Sequence, residues 1–337
     1  MTFHTSHNSR FLAWSHGGIQ VMDRREFVGA AATLVAAGCA GHNAGAGSVM
    51  SSAVTGTARL PIGFSTLGSP KWDWLTTLDF AAAHGYSSIE LRGILGVMDL
   101  PKSPIFQPAR LAQTKRELAE RSLVISDLGA STNLHEMEPA KLEPGMAEAR
   151  GFIDLAATLG VPFVRVFGNK YVPGVPREQM LEHIARGLRT LGEYARARNV
   201  TVLIETHGDF TDSPTLVELM RRADSPGAQI LWDAHHTFVL GKESPETSVR
   251  ELGKYIRHTH LKDSVPAGTD RRYVLTGSGE VPVRRQVEAL ARTGYRGAYC
   301  YEWEKRWHPE IEEPEIAFAH FAAVVSGYLR DAGMKAV

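Results

Sequence analysis

The sequence predicts an α/β fold, a single-domain (β/α)8 TIM barrel over residues 59–335 behind an N-terminal export signal and linker. Three observations carry this. Short apolar runs alternate with amphipathic helical stretches, the pattern of parallel strands joined by helical crossovers. There are eight such units over roughly 275 residues, the usual size of that barrel. Glycine or asparagine closes several helical stretches, at Gly85, Gly160, Asn199 and Gly294.

In chain order, a first strand is expected at Pro61–Ser65, then a helix at Trp74–His84 that stops at Gly85. The next pairs are Ser88–Leu91 with Pro108–Arg121, Val124–Leu128 with Pro144–Leu159, and Phe163–Phe167 with Arg177–Arg198. Then come Thr201–Glu205 with Thr215–Ala223, Gln229–Asp233 with Ser248–Tyr255, and Ile256–Leu261 with Val283–Thr293. Ala298–Glu302 and Ile316–Ala332 complete the set. A doubly wound open sheet is the alternative. It wants a glycine-rich phosphate turn after the first strand, and Phe64-Ser65-Thr66-Leu67-Gly68 offers none.

The 337 residues carry 37 Lys+Arg against 37 Asp+Glu, with 43% apolar and 22% charged residues. This is ordinary globular composition and excludes disorder, collagen and coiled coil. Zero net charge argues against gripping nucleic acid through bulk charge. Two cysteines, Cys39 and Cys300, cannot build a disulfide framework or a cysteine-based zinc site.

Residues 1–40 read as an export signal and 41–58 as a flexible linker. Arg24-Arg25 precede Phe27 and a run of small apolar residues from Val28 to Ala37. The run is too short to span a membrane. The pair followed by Glu26-Phe27-Val28 resembles a twin-arginine signal, so the translocation machinery of that pathway is an expected partner. Met22 is an alternative start, since residues 1–21 show no periodic pattern. Cys39, after Ala36-Ala37-Gly38, resembles a lipoprotein acceptor, with simple cleavage as the other reading. The expected location is the periplasm, or the outer side of the inner membrane if Cys39 is lipidated.

Working residues of such a barrel lie at the C-terminal ends of its strands. Strands five to eight end in or carry Glu205, Asp233, His260 and Glu302. Carboxylates that end apolar strands are costly to bury unpaired, and three together raise one another's pKa. One divalent cation resolves both problems, and this donor set suits Mn, Mg, Co or Zn with open positions for substrate. Any one of these residues alone reads as a loop residue or a helix cap, as Asp233 does for the helix that follows. The conjunction on four consecutive strand ends carries the metal reading.

His236, three residues after Asp233, is expected to turn back over the metal or substrate, or to ligate an additional metal, and one of His235 and His236 to pack. His258 and His260 alternate by two, so they face the same way, with His258 deeper. His207 either approaches the site or bonds to backbone. Lys262 either holds a substrate hydroxyl or pairs with Asp263. Trp72 and Trp74 either stack on a sugar face or pack their loop. Glu90, Arg165, Trp307 and His308 fall at or beyond strand ends and are pocket candidates.

The segments IELR (89–92), IETHGDF (204–210), WDAHHTF (232–238), HTHLKD (258–263), GSGEVP (277–282) and YEWEKRWHPEIEEPE (301–315) resemble the xylose isomerase-like TIM-barrel superfamily, in its sugar phosphate isomerase/epimerase branch. The resemblance covers residues 60–335. It implies a keto-sugar isomerase or epimerase in which Glu205, Asp233, His260 and Glu302 bind one divalent metal. It further implies that Glu205 and Glu302 form the acid/base pair and that His236 contacts substrate. Similar epimerases carry an arginine soon after the strand-seven histidine. Here SVPAGTDRR delays Arg271 and Arg272 into a longer loop. The mechanism implied is proton transfer beside a carbonyl through an enediolate.

The alternatives are a keto-sugar dehydratase or lyase, a metal-dependent hydrolase, and a non-catalytic periplasmic sugar-binding barrel. A hydrolase of the apurinic endonuclease type needs more histidines, and Glu90 and Asp127 stand where strands two and three would supply them. The sugar, its phosphorylation and the oligomeric state, a homo-oligomer included, are left open.

Overall fold

The computed structural model describes residues 11–15, 18–22 and 58–336. Phe11–Ser15 and Gly18–Met22 pair as an antiparallel ribbon with Phe11 opposite Met22. Residues 1–21 lack a side-chain period, but a ribbon is held by backbone pairing and needs none. The expected signal from Asp23 onward, the linker to residue 57 and Cys39 lie outside the described residues.

The barrel strands are β1 (Ile62–Ser65), β2 (Ser88–Leu91), β3 (Val124–Asn133), β4 (Phe163–Phe167), β5 (Thr201–Glu205), β6 (Ala228–Asp233), β7 (Ile256–Leu261) and β8 (Tyr299–Tyr301). They follow one another around a closed barrel in which β8 pairs in parallel with both β7 and β1. Closure excludes the open doubly wound sheet. The crossover helices are α1 (Trp74–Ala83), α2 (Pro108–Glu120), α3 (Pro139–Leu159), α4 (Arg177–Arg196), α5 (Ser213–Ala223), α6 (Pro245–Leu252), α7 (Val283–Ala291) and α8 (Pro314–Asp331).

Local chemistry explains most boundaries. Asp73 caps α1 by accepting the Thr76 N–H at 2.8 Å, and Asp212 caps α5 through the Thr215 N–H. α3 ends on Gly160 in the left-handed region at φ 77°. α4 buries Met180, Leu181, Ile184, Ala185, Leu188, Leu191 and Ala195, one face at helical spacing. Between α8 and the barrel lies an aromatic wall, with Phe318 stacked on Phe64 and Phe321 on Tyr301 at 4.2 and 4.3 Å.

Several boundaries differ from expectation, four of them for reasons that the local sequence shows. α3 begins at Pro139, not Pro144, because Pro139 takes the first helical position while Pro144 is tolerated inside. α6 begins at Pro245, with Ser244 as its cap. β3 runs on to Asn133, since a polar GASTN stretch can pair through backbone without an apolar signal. β8 stops at Tyr301, and Glu302 follows it while still donating its N–H to the Leu261 carbonyl at 3.2 Å.

Two elements that bring residues to the site had no signal in the sequence reading. A short helix, Ala234–Val239, follows β6, and a hairpin, Asp263–Ala267 with Asp270–Val274, follows β7. Both overhang the C-terminal mouth. Among the described residues no helix is long and apolar enough to cross a membrane.

Candidate functional site

The strand register sets the site. Asp233 lies opposite His260 between β6 and β7, and His260 lies opposite Cys300 between β7 and β8. Glu205 ends β5 beside Leu231 of β6. One ligand atom from each of Glu205, Asp233, His260 and Glu302 lies within 4.8 Å of the others, and all four residues are buried. His260 Nδ1 is 3.4 Å from Glu205 Oε1 and 3.3 Å from Glu302 Oε1. Three buried carboxylates and an imidazole converging on one point fit a divalent cation by donor type and number.

Asp233 does two things at once. Its Oδ1 accepts the His236 N–H at 3.0 Å and caps the short helix, while Oδ2 lies 2.7 Å from Lys262 Nζ. The capping role considered for it alone is thus compatible with a place in the cluster.

Above the cluster opens a cavity of about 250 Å3. Arg165, Glu205, His207, His236, Lys262 and Glu302 line it, together with Leu67, Arg92, Phe167, Tyr273, Glu304 and Trp307. Asp233 and His260 are fully buried and do not line it. Arg165 Nε is 3.1 Å from Glu205 Oε2, its NH1 donates to the Ala130 carbonyl, and its guanidinium covers the Phe167 ring. Arg92 donates to the Gly129 carbonyl and to Ser131 Oγ.

Over this geometry sits the match to known proteins. The xylose isomerase-like TIM barrel family model matches residues 78–323. The chain belongs to that family. A curated relative, the inosose dehydratase of Clostridium tetani, is 25% identical over 148 residues, 38% of this chain and 48% of the relative, so the chain spans about half the length of the curated relative it matches. Among solved structures, L-ribulose 3-epimerase aligns at TM-score 0.66 and 16% identity, over 81% of this chain and 96% of that one. The probable 3-DHS dehydratase of Bacillus anthracis aligns at 0.65 and 18%, over 79% and 99%. D-psicose 3-epimerase of Clostridium cellulolyticum H10, solved with D-tagatose, aligns at 0.63 and 17%, over 80% and 99%. At these identities the structural likeness shows a shared fold.

In this xylose isomerase-like barrel the buried charges set one another's protonation. Burial alone would raise Glu205, but Arg165 and His260 hold it down at about 2. Burial likewise opposes ionisation of Glu302, and His260 and Lys262 hold it well below the usual carboxylate range. For Lys262 burial works against the ammonium, and Asp233, Glu302 and Glu304 outweigh it and raise it well above its ordinary value. Glu304 goes the other way, raised mainly by burial.

Several residues stand elsewhere than expected. Lys262 does not pair with Asp263. It bonds Asp233, Glu302 and Glu304, the last at 2.9 Å, because alternation puts it on the interior face with His260 and turns Asp263 outward. Asp263 instead accepts the N–H groups of Ser264, Gly277, Gly279 and Val281, tying the GSGEVP loop to β7. A Cβ at Gly279 would lie 2.1 Å from Asp263 Oδ1, so only glycine fits there.

Glu90 is not a pocket residue. It is fully buried beneath His260. His308 sits outside the cavity wall, with its Nδ1 toward Glu310 and its ring against Tyr273. Trp72 packs on Phe80 and Phe318, and Trp74 donates to Glu117 Oε2 from the core. His235 is the packing member of its pair, bonded to Ser264 Oγ. His207 faces the cavity, with its Nδ1 3.1 Å from Asn169 Oδ1. Arg271 turns away to Ser264 and Glu280.

The sequence reading missed Arg92, Glu304 and Tyr273. Arg92 follows β2 in the IELR segment, and Glu304 repeats the face of Glu302 two residues on, so both had a signal. Tyr273 arrives on the unforeseen hairpin and had none.

Proposed function

We propose that the chain is a divalent-metal-dependent keto-sugar isomerase or epimerase, with Glu205 and Glu302 as its acid/base pair. The observation that carries the reading is one arrangement. The two glutamates both reach the cavity and both flank the imidazole of His260, inside a four-residue cluster that fits a cation. A metal held by Glu205, Asp233, His260 and Glu302 would polarise the substrate carbonyl and stabilise the enediolate.

The protein's own groups supply the rest. Glu205, kept ionised by Arg165, is poised to take a carbon-bound proton. Glu302 works from the end of β8, and its contact with Lys262 links it to that ammonium and through it to Glu304, whose carboxyl burial raises. Arg92, His207 and His236 offer donors to hydroxyl oxygens. The cavity is smaller than the roughly 300–1,000 Å3 of drug-sized pockets, which suits a single monosaccharide.

The test is incubation with a panel of keto-sugars in D2O after metal loading. Deuterium enters the carbon beside the carbonyl if the reading is right. Glu205→Gln and Glu302→Gln should each abolish it, and persistent exchange in both refutes the pair. A dehydratase is the second reading, favoured by the match to inosose dehydratase. It uses the same proton abstraction and then expels a hydroxyl, for which Lys262 and Glu304 offer the proton. Loss of one water from the product by mass spectrometry decides for it. Sugar binding with neither outcome favours a binding protein.

Export belongs to the same proposal. It rests on Arg24-Arg25 and the apolar run that follows, with Cys39 as the lipidation candidate. Cell fractionation of the full chain and of its Cys39→Ser variant tests it.

A further inference from the structure

Below the four-residue cluster lies a layer of buried polar groups that the proton transfer does not use. Glu90 is the next-to-last residue of β2, and two strands, β1 and β8, stand between it and β7 around the barrel. Its Oε2 lies 2.7 Å from His260 Nε2 and 2.9 Å from His258 Nε2. Both rings project from β7 to the interior, two residues apart. All three side chains are buried, so no solvent competes for these bonds. Glu90 Oε1 and His258 Nδ1 have no partner of their own.

A neutral imidazole offers a lone pair on one nitrogen only while the other keeps its hydrogen. His260 Nε2 points down at Glu90, and its Nδ1 points up at Glu205 and Glu302. A carboxylate behind a ligating histidine sets its tautomer and ring orientation. We propose that Glu90 is a positioning residue of the metal centre. It accepts the His260 Nε2–H, so that the Nδ1 lone pair faces the cluster. His258 donates to the same oxygen and keeps that carboxylate from turning. Glu90 is absent from the cavity wall, so this role needs no contact with substrate. The inference rests on the metal reading above.

The test is calorimetric titration of metal-stripped wild type and Glu90→Gln with Mn2+, with circular dichroism to confirm folding. The amide keeps the shape of the side chain but can turn its NH2 toward the ring, which favours the wrong tautomer. The variant should bind Mn2+ about 10–100-fold more weakly. Cys300→Ala is the control. Its sulfur lies 3.9 Å from the same Glu90 oxygen, and its removal leaves the carboxylate in place, so its Kd should stay within about twofold of wild type.

A second measurement needs no variant. In the 15N spectrum of Zn2+-loaded wild type, His260 should show Zn2+ on Nδ1 and a slowly exchanging proton on Nε2. Equal Mn2+ affinity in Glu90→Gln, an equal loss in Cys300→Ala, or Zn2+ on Nε2 each overturns the Glu90 role and leaves the metal reading standing. Wild type that binds no divalent metal overturns both.

Discussion

Replacing Lys262 by Met tests the electrostatics of the site directly. The ammonium is buried and meets Asp233, Glu302 and Glu304, so in metal-free protein it balances much of the negative charge of that wall. Methionine keeps most of the stem and removes the charge. Breaking a buried ion pair from one side costs about 3–5 kcal/mol, because the partner carboxylates stay buried and unpaired. At roughly 2–4 °C per kcal/mol for a chain of this size, the midpoint in EDTA should fall by about 6–20 °C. A bound Mn2+ supplies positive charge to the same carboxylates, so the deficit with excess Mn2+ should be less than half of that. The variant should also bind Mn2+ more tightly, since no lysine then competes for Asp233 and Glu302. Calorimetric scans with EDTA and with Mn2+ make the comparison. An equal deficit under both conditions, or none in EDTA, refutes the reasoning.

Three further outcomes follow from other parts of the barrel. Asp263→Ala removes the acceptor of four backbone N–H groups, and should cost on the order of 3 kcal/mol in urea unfolding and speed proteolysis within 275–282. Gly208→Ala forces a side chain onto φ +63° and puts its Cβ 1.9 Å from the Asn169 carbonyl oxygen. It should cost about 2 kcal/mol or more, and it should weaken sugar binding by moving His207. At Glu117 burial pushes the carboxyl up, but bonds from Arg110 and Trp74 hold it below the ordinary carboxylate value. Its contribution is therefore present above that ordinary value, about pH 4.5, and is lost as the pH falls through the lowered one. Glu117→Gln should lose about 1 kcal/mol at neutral pH, with the gap to wild type closing in urea titrations as the pH falls through that lowered value.

The barrel was legible in the sequence because its signals are local. Apolar runs of strand length and amphipathic helices repeat eight times, glycine or asparagine stops several of the helices, and strand ends can be read from a single segment. The ends of strands five to eight therefore put Glu205, Asp233, His260 and Glu302 on the page without any coordinates. Alternation by two placed His258 below His260 for the same reason. Where pairing is made by backbone alone, as in the extension of β3 to Asn133 and in the hairpin after β7, side chains carry no periodic mark and those elements went unread.

Partners across the barrel were decided only by closure. Glu90 looks like a pocket residue from its strand end, yet the circle of strands carries it beneath His260, a residue 170 positions away in the chain. Lys262 has an acid next to it in sequence and ignores it, because alternation turns the neighbour outward and the barrel brings Asp233, Glu302 and Glu304 to the inside. The sequence by itself determined which chemical groups end the strands. The tertiary structure decided which groups share a proton or a charge, since that depends on distances between strands set by barrel closure.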